Sequence, residues 1–100
     1  IPSQVRTEIE VKNLKEFKKA LKLKPDIIML DNMNNKDIKA AVKIRNSLSP
    51  NTQHPTPKLE ASGGITLKNV KKIASTGVEM ISIGALTHSV SSVDISLEII

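Results

Sequence analysis

The sequence predicts an α/β chain in which parallel βα units form part of a (β/α) barrel, followed by a final alternating strand. Three observations carry this reading. Segments with the period of a strand alternate with segments with the period of a helix, in the order β-α-β-α-β-α-β. The spacing between strands is that of successive βα units, which demand parallel strands and right-handed crossovers. Each strand segment also ends in residues foreign to a packed core: Glu10, Asp31, Ser62-Gly63-Gly64 and Gly84-Ala85.

The first strand is Thr7 to Val11, where polar residues alternate with β-branched ones. Asn13 opens a helix with Glu16 as its capping-box partner. Leu14, Phe17, Ala20 and Leu21 share the inner face, and Lys15, Lys18, Lys19 and Lys22 take the outer one. Pro25 stops it. Asp26 to Asp31 is an apolar run of the kind expected of a central parallel strand covered on both sides. A second helix spans Lys36 to Ser47, with Ile38, Ala41, Val42 and Arg45 at helical spacing. Three prolines between Ser49 and Pro57 dictate a loop, in which His54 reads as an exposed spacer.

Lys58 to Ala61 is a short third strand, and Lys58 and Glu60 share a face on which they are able to pair. Thr66 caps a third helix, with Ile65 and Val70 placed for a hydrophobic staple and Gly77 suited to the C-terminal stop. Glu79 to Ile83 is the fourth strand. Met29, Met33 and Met80 read as core or near-core fillers. In the tail Val93, Ile95, Leu97 and Ile99 alternate with Asp94, Ser96 and Glu98, so residues 92–100 read as a half-exposed strand, separate from a barrel portion over 1–91. Its apolar face needs a surface that this chain does not supply.

Composition removes several classes of function. One hundred residues at 39% hydrophobic suit one compact domain. The longest apolar run, Ile27 to Leu30, is far too short to span a membrane as a helix, and the absence of Cys removes disulfides and thiolate metal sites. A net charge of +5 invites a nucleic-acid partner, but the only arginines are Arg6 and Arg45, and Phe17 is the sole aromatic. Neither bidentate base readout nor a stacking platform is available, so no nucleic acid and no membrane is expected as a partner. The start at Ile1 rather than Met predicts a piece of a longer protein whose N-terminus is not visible here.

In parallel α/β proteins ligands bind at the carboxyl ends of the strands, where the unusual residues collect. Ser62-Gly63-Gly64 before a capped helix suits an anion, because glycine amides are unshielded and a helix N-terminus is partly positive. Gly84-Ala85 would supply the neighbouring loop; the plainer alternative is that each glycine serves only a tight turn. Glu8 and Glu10 share one face of their strand. Facing a barrel interior they need Mg²⁺, a Lys or substrate hydroxyls, whereas on an edge strand they are simply solvated. Asp31 is either a turn cap with Asn32 or a second ligand on the rim. His88, four residues after Gly84, is able to touch a phosphate placed there.

Leu-Asp-Asn-Met at 30–33, Glu-Ala-Ser-Gly-Gly-Ile at 60–65 and Gly-Ala-Leu-Thr-His-Ser at 84–89, in this order and with Ile9-Glu10-Val11 before them, resemble the C-terminal part of the quinolinate phosphoribosyltransferases. Ser-Gly-Gly-Ile alone is common among phosphate-binding barrels; the ordered set is specific.

The resemblance implies an enzyme of NAD biosynthesis. It would move ribose 5-phosphate from phosphoribosyl pyrophosphate to the ring nitrogen of quinolinate with Mg²⁺, releasing pyrophosphate and CO₂ and leaving nicotinate mononucleotide. It implies that Glu10 and Asp31 are the catalytic residues that hold the ribose hydroxyls and lie near Mg²⁺. Ser62, Gly63, Gly64, Gly84, Ala85 and His88 would bind the 5-phosphate. A cytoplasmic homodimer or higher homo-oligomer is implied too, with this chain inactive alone, because the cations for a dicarboxylate acceptor lie elsewhere. A non-catalytic phosphate-binding half-barrel, or a related phosphoribosyltransferase with another acceptor, is the alternative reading.

Overall fold

The computed structural model describes residues 6–48 and 55–93. Its elements run β1 (Glu8–Val11), α1 (Leu14–Lys22), β2 (Ile27–Asp31), α2 (Asn35–Asn46), β3 (Lys58–Ser62), α3 (Val70–Ala74), β4 (Met80–Ile83) and β5 (Leu86–Ser89). They form one five-stranded sheet in the order β1-β2-β3-β4-β5. The first four strands are parallel and β5 returns antiparallel beside β4.

Strand order equal to chain order means that every crossover steps to the next strand in one direction. This places the helices on one face, as in a barrel wall, rather than on both faces of a doubly wound sheet. Burial agrees. Val11, Ile28, Leu30, Leu59, Ala61 and Ile81 are buried in one cluster with Phe17 of α1, Ile38 and Ala41 of α2, and Val70 and Ile73 of α3. Of the residues between them in the strands, Glu8, Glu10, Ile27, Met29 and Asp31 are exposed or half-buried, and Glu60 is buried. The expected two-sided cover of β2 is therefore met on one side only among the described residues.

Local chemistry sets the helix starts. The Asn13 side chain accepts from the Glu16 N–H at 2.9 Å, as anticipated, while Glu16 accepts from the Lys12 N–H at 2.8 Å, one residue before the N-cap N–H that would close a capping box. Asn34 caps α2 in the same manner through the Asp37 N–H.

The third helix differs from expectation. It begins at Val70 rather than after Thr66, because residues 67–69 form turns. The Asn69 side chain accepts from the Thr66 N–H at 2.8 Å and donates to the Gly64 carbonyl at 2.9 Å, and this closes the loop before the helix starts. Gly77 does end the unit, at φ +107°.

Two further corrections concern the end of the chain. Leu86–Ser89 is a strand that returns along β4, with Gly84 and Ala85 as a two-residue hairpin turn led by Gly84 at φ +63°. Residues 90–93 are helical, with Val93 buried in the core cluster, so no strand begins at residue 92. The alternating segment from Asp94 onward lies outside the described residues, as do Ser49 to His54 of the proline loop. No described helix is long and apolar enough to cross a membrane.

Candidate functional site

The face of the sheet away from the helices carries the chemistry. Parallel register puts Glu10, Met29, Glu60 and Met80 in one row across it, and Asp31 and Ser62 in the next row toward the C-terminal rim. With ~4.8 Å between strands and ~3.3 Å of rise per residue, the Cα atoms of Asp31 and Ser62 are about 5 Å apart, and those of Glu10 and Asp31 about 8 Å. Ile9 and Val11 pack on the helix side, so Glu8 and Glu10 point the other way, on the edge strand of the sheet.

The two rim glycines of the β3 turn have a specific neighbour, Asn32. Its backbone is left-handed at φ +56°, and its N–H donates to the Ser62 carbonyl at 2.7 Å, which ties the end of β2 to the end of β3. Gly63, at φ +84°, leaves no room for a side chain: a Cβ there would stand 3.1 Å from the Asn32 nitrogen and 3.2 Å from its Cα. At Gly64, φ +67°, the added carbon would meet the Asn32 side-chain oxygen at 3.3 Å. The Asn32 backbone thus accounts for Gly63, and the left-handed φ with the Asn32 side chain for Gly64. This packing also holds the Gly63 and Gly64 amides in a fixed concave turn, a geometry that suits an anion. The α3 dipole does not assist, since that helix begins five residues after Ile65 and is itself only five residues long.

Gly84 is different. A Cβ built on it meets nothing within 4 Å, so it opens onto free space at the same rim, beyond the end of β4. Ala85, the second residue of the hairpin turn, is exposed beside it.

His88 is not brought into this group. It pairs across the hairpin with Ile81, whose side chain is in the helix-side core, so the register assigns His88 to the face opposite Glu10, Asp31 and Ser62. The spacing from Gly84 does not reveal this, because it does not show that Leu86–Ser89 is a strand.

Two charged residues turn out to matter in ways their spacing did not disclose. Glu60 is only 4% exposed and accepts from the Ser82 hydroxyl at 2.5 Å, rather than pairing with Lys58, which is exposed. Met29 and Met80 flank it in register on this open face, so of the three methionines Met33 alone packs against the core cluster. Arg45 is buried at the other end of the strands. It pairs with Glu79 at 2.9 Å and donates to the carbonyls of Pro57 at 2.9 Å and Gly77 at 3.3 Å, clamping the entries to β3 and β4. The available signal was its place on the inner face of α2 beside Ile38, Ala41 and Val42.

That clamp is the only ion pair among the described residues, so Glu10 and Asp31 have no cationic partner there. No group of three or more His, Asp or Glu able to hold a metal occurs among the described residues. What the described residues offer is therefore two carboxylates without a cationic partner among them, Asp31 at the rim and Glu10 one row below, beside a glycine-lined turn. Oxygen donors of this kind suit sugar hydroxyls, or a hard cation whose remaining ligands come from a substrate.

Comparison with known proteins gives this arrangement a family. The model of the quinolinate phosphoribosyl transferase C-terminal domain matches residues 1–98. A probable nicotinate-nucleotide pyrophosphorylase (carboxylating) of Methanocaldococcus jannaschii is 47% identical over 95 residues, which is 95% of this chain and 33% of that protein. A mitochondrial quinolinate phosphoribosyltransferase (decarboxylating) of Nicotiana tabacum is 43% identical over 96% of this chain and 28% of its own length. Among solved structures, the nicotinate-nucleotide pyrophosphorylase of Francisella tularensis superposes with a TM-score of 0.69 at 41% identity, covering 83% of this chain and 27% of that one. The chain thus spans about a third of the length of the curated relatives it matches. With a family match over nearly its whole length and a shared fold at this level of identity, the chain belongs to the quinolinate phosphoribosyl transferase C-terminal domain family.

Proposed function

We propose that the full-length protein is a quinolinate phosphoribosyltransferase and that this chain supplies its grip on ribose 5-phosphate. In the reaction the bond from the sugar's anomeric carbon to pyrophosphate breaks and a bond to the quinolinate ring nitrogen forms. The 2-carboxylate then leaves as CO₂, and a proton takes its place on the ring. The observation that carries the reading is the C-terminal rim: Asp31, Ser62 and the Asn32-braced Gly63-Gly64 turn are adjacent, with Glu10 one row below and Gly84 open at the end of β4.

Each group has a definite task in this reading. Glu10 and Asp31, lacking a cation among the described residues, accept hydrogen bonds from the ribose hydroxyls. Their negative charge favours the positive charge that develops at the anomeric carbon as pyrophosphate departs. The Gly63 and Gly64 amides and the Ser62 hydroxyl receive the 5-phosphate, and the space over Gly84 and Ala85 accommodates its far side. His88 is left out of this grip by its register.

Two carboxylates without a third fit Mg²⁺, which commonly takes one or two carboxylates and completes its shell with substrate phosphates. Held by Glu10 and Asp31, it would neutralise the leaving pyrophosphate. The acceptor's two carboxylates need cations that this face lacks. Lys58, at the far end of β3, is its only cation among the described strand residues. The remaining two thirds of the protein, or a second subunit, supplies them in this reading, and the proposal takes the protein as a cytoplasmic homodimer or larger assembly.

The test is turnover by the intact protein with quinolinate, phosphoribosyl pyrophosphate and Mg²⁺. Nicotinate mononucleotide and CO₂ in equal amounts are expected, and chelation of Mg²⁺ should stop both. Turnover with nicotinate or nicotinamide in place of quinolinate would point to another acceptor. Binding of phosphoribosyl pyrophosphate without turnover would make the protein a binding module.

A further inference from the structure

Glu60 is the one carboxylate of the open sheet face that is buried, and the mechanism above does not use it. Its Oε2 accepts from the Ser82 hydroxyl at 2.5 Å, and the Ser82 Oγ lies 3.1 Å from the Thr87 Oγ1. A hydroxyl has one proton to donate, and an ionised carboxylate only accepts. Ser82 therefore spends its proton on Glu60, and Thr87 must donate to Ser82. The chain has one direction, Thr87 to Ser82 to Glu60, and runs sideways across β5, β4 and β3.

Its place in the hairpin is what gives it a consequence. Ile83 and Leu86 are the residues on either side of the Gly84-Ala85 turn, and Ser82 and Thr87 are the next pair behind it. They are the first side chains behind the turn on the ligand-facing side of the sheet. Gly84 has no packing on the side a Cβ would occupy, where nothing lies within 4 Å. Thr87 and Ala85 are exposed, so few contacts secure the hairpin tip apart from this chain and the ladder.

We infer that Glu60 is a positioning residue: acting through Ser82 and Thr87, it holds the β4–β5 hairpin so that the Gly84-Ala85 turn stays in place beside the phosphate of the bound sugar. This rests on the proposed function for the ligand and on the hydrogen bonds for the link. Burial of a carboxylate is costly unless its oxygens are satisfied, and a charge-assisted bond from a hydroxyl is a strong way to meet that need. The position facing Ser82 is therefore filled by a group that pulls the hairpin toward β3 and the Ser62-Gly63-Gly64 turn.

The experiment uses the full-length protein and four variants: Ser82→Ala, Thr87→Val, Thr87→Ser and Glu60→Ala. Amide hydrogen exchange over residues 86–89 reads the link, and the separate KM values for phosphoribosyl pyrophosphate and quinolinate read its consequence. In Ser82→Ala and Thr87→Val, exchange in β5 should quicken about five-fold and the KM for phosphoribosyl pyrophosphate rise about five-fold, the loss of one hydrogen bond. The quinolinate KM should stay within about two-fold, and Thr87→Ser, which keeps the hydroxyl, should restore both readouts. Glu60→Ala should show the same split if it folds; if it does not, the Ser82 and Thr87 variants decide. Equal rises in both KM values, or an unchanged KM for phosphoribosyl pyrophosphate in folded Ser82→Ala, would overturn the inference. If the wild-type protein makes no nicotinate mononucleotide, the proposed function fails instead, and unchanged β5 exchange in Ser82→Ala would separately refute the link.

Discussion

Gly63→Ala and Gly84→Ala are the same chemical change at two glycines that share a left-handed backbone, φ +84° and φ +63°, yet the structure predicts opposite consequences. At both positions an L-residue costs ~1 to 2 kcal/mol in backbone strain. At Gly63 the new methyl also stands 3.1 Å from the Asn32 nitrogen and 3.2 Å from its Cα, atoms of backbone that cannot swing aside. Overpacking of that kind adds roughly 1 to 3 kcal/mol, and relieving it stretches the Asn32 to Ser62 hydrogen bond. The total for Gly63→Ala is about 2 to 5 kcal/mol, against ~1 to 2 kcal/mol for Gly84→Ala, where the methyl enters open space.

In the full-length protein this corresponds to a Tm lower by roughly 5 to 10 °C for Gly63→Ala and roughly 2 to 5 °C for Gly84→Ala. Function should invert the order of specificity. Gly84→Ala puts its methyl where the phosphate is proposed to sit, so the KM for phosphoribosyl pyrophosphate should rise roughly ten-fold despite the smaller loss of stability. Thermal unfolding and steady-state kinetics on the two variants test the pair together. Equal losses of Tm would refute the packing role of Asn32 at Gly63, and an unchanged KM in Gly84→Ala would refute the placement of the phosphate there.

Two further substitutions probe the end of the sheet away from the site. Arg45→Met removes the ion pair, the hydrogen bonds to the buried Pro57 carbonyl and the part-buried Gly77 carbonyl, and the bond to the Asn46 side chain; with the Glu79 side chain 38% exposed, the cost falls below that of a fully buried pair, to about 2 to 3 kcal/mol. It should appear as a lower Tm with unchanged KM values, and a KM change without a Tm change would contradict a purely structural clamp. Gly77→Ala places a methyl 2.8 Å from the Val42 Cγ1 at φ +107° and should cost roughly 2 kcal/mol, part of which Val42→Ala recovers. Strict additivity of the two in a double-mutant cycle would show that the contact is not the cause.

What was legible in the sequence was what local chemistry determines. The alternation at Glu8 to Val11, the apolar stretch Ile27 to Leu30 and the Asn13-to-Glu16 cap all depend on neighbours a few residues away, and each was read correctly. The start of α3 was misplaced because Asn69 competes with Thr66 for the turn, and nothing in Thr-Leu-Lys-Asn announces which prevails. The strand character of Leu86–Ser89 depends on β4 as a template, so spacing alone sets His88 near Gly84 and does not show the face it takes. Glu60 and Arg45 were misjudged for a related reason. Their partners, Ser82, Pro57, Gly77 and Glu79, come from segments that only the folded sheet brings near. At the rim, the glycines were recognised, but their immediate cause, the close approach of Asn32, is a tertiary contact that spacing does not encode.

The central claim is that the carboxylates at the ends of β1 and β2 grip the reacting sugar. It is tested most directly by nicotinate mononucleotide formation in the full-length protein carrying Asp31→Asn, with Glu10→Gln beside it. Both changes keep size and shape and remove only the charge. Asp31 is half-buried and Glu10 exposed, with no cation paired to either among the described residues, so stability should change little. Turnover should fall on the order of 100-fold in each variant at a wild-type Tm. Turnover within two-fold of wild type in folded Asp31→Asn would contradict the claim.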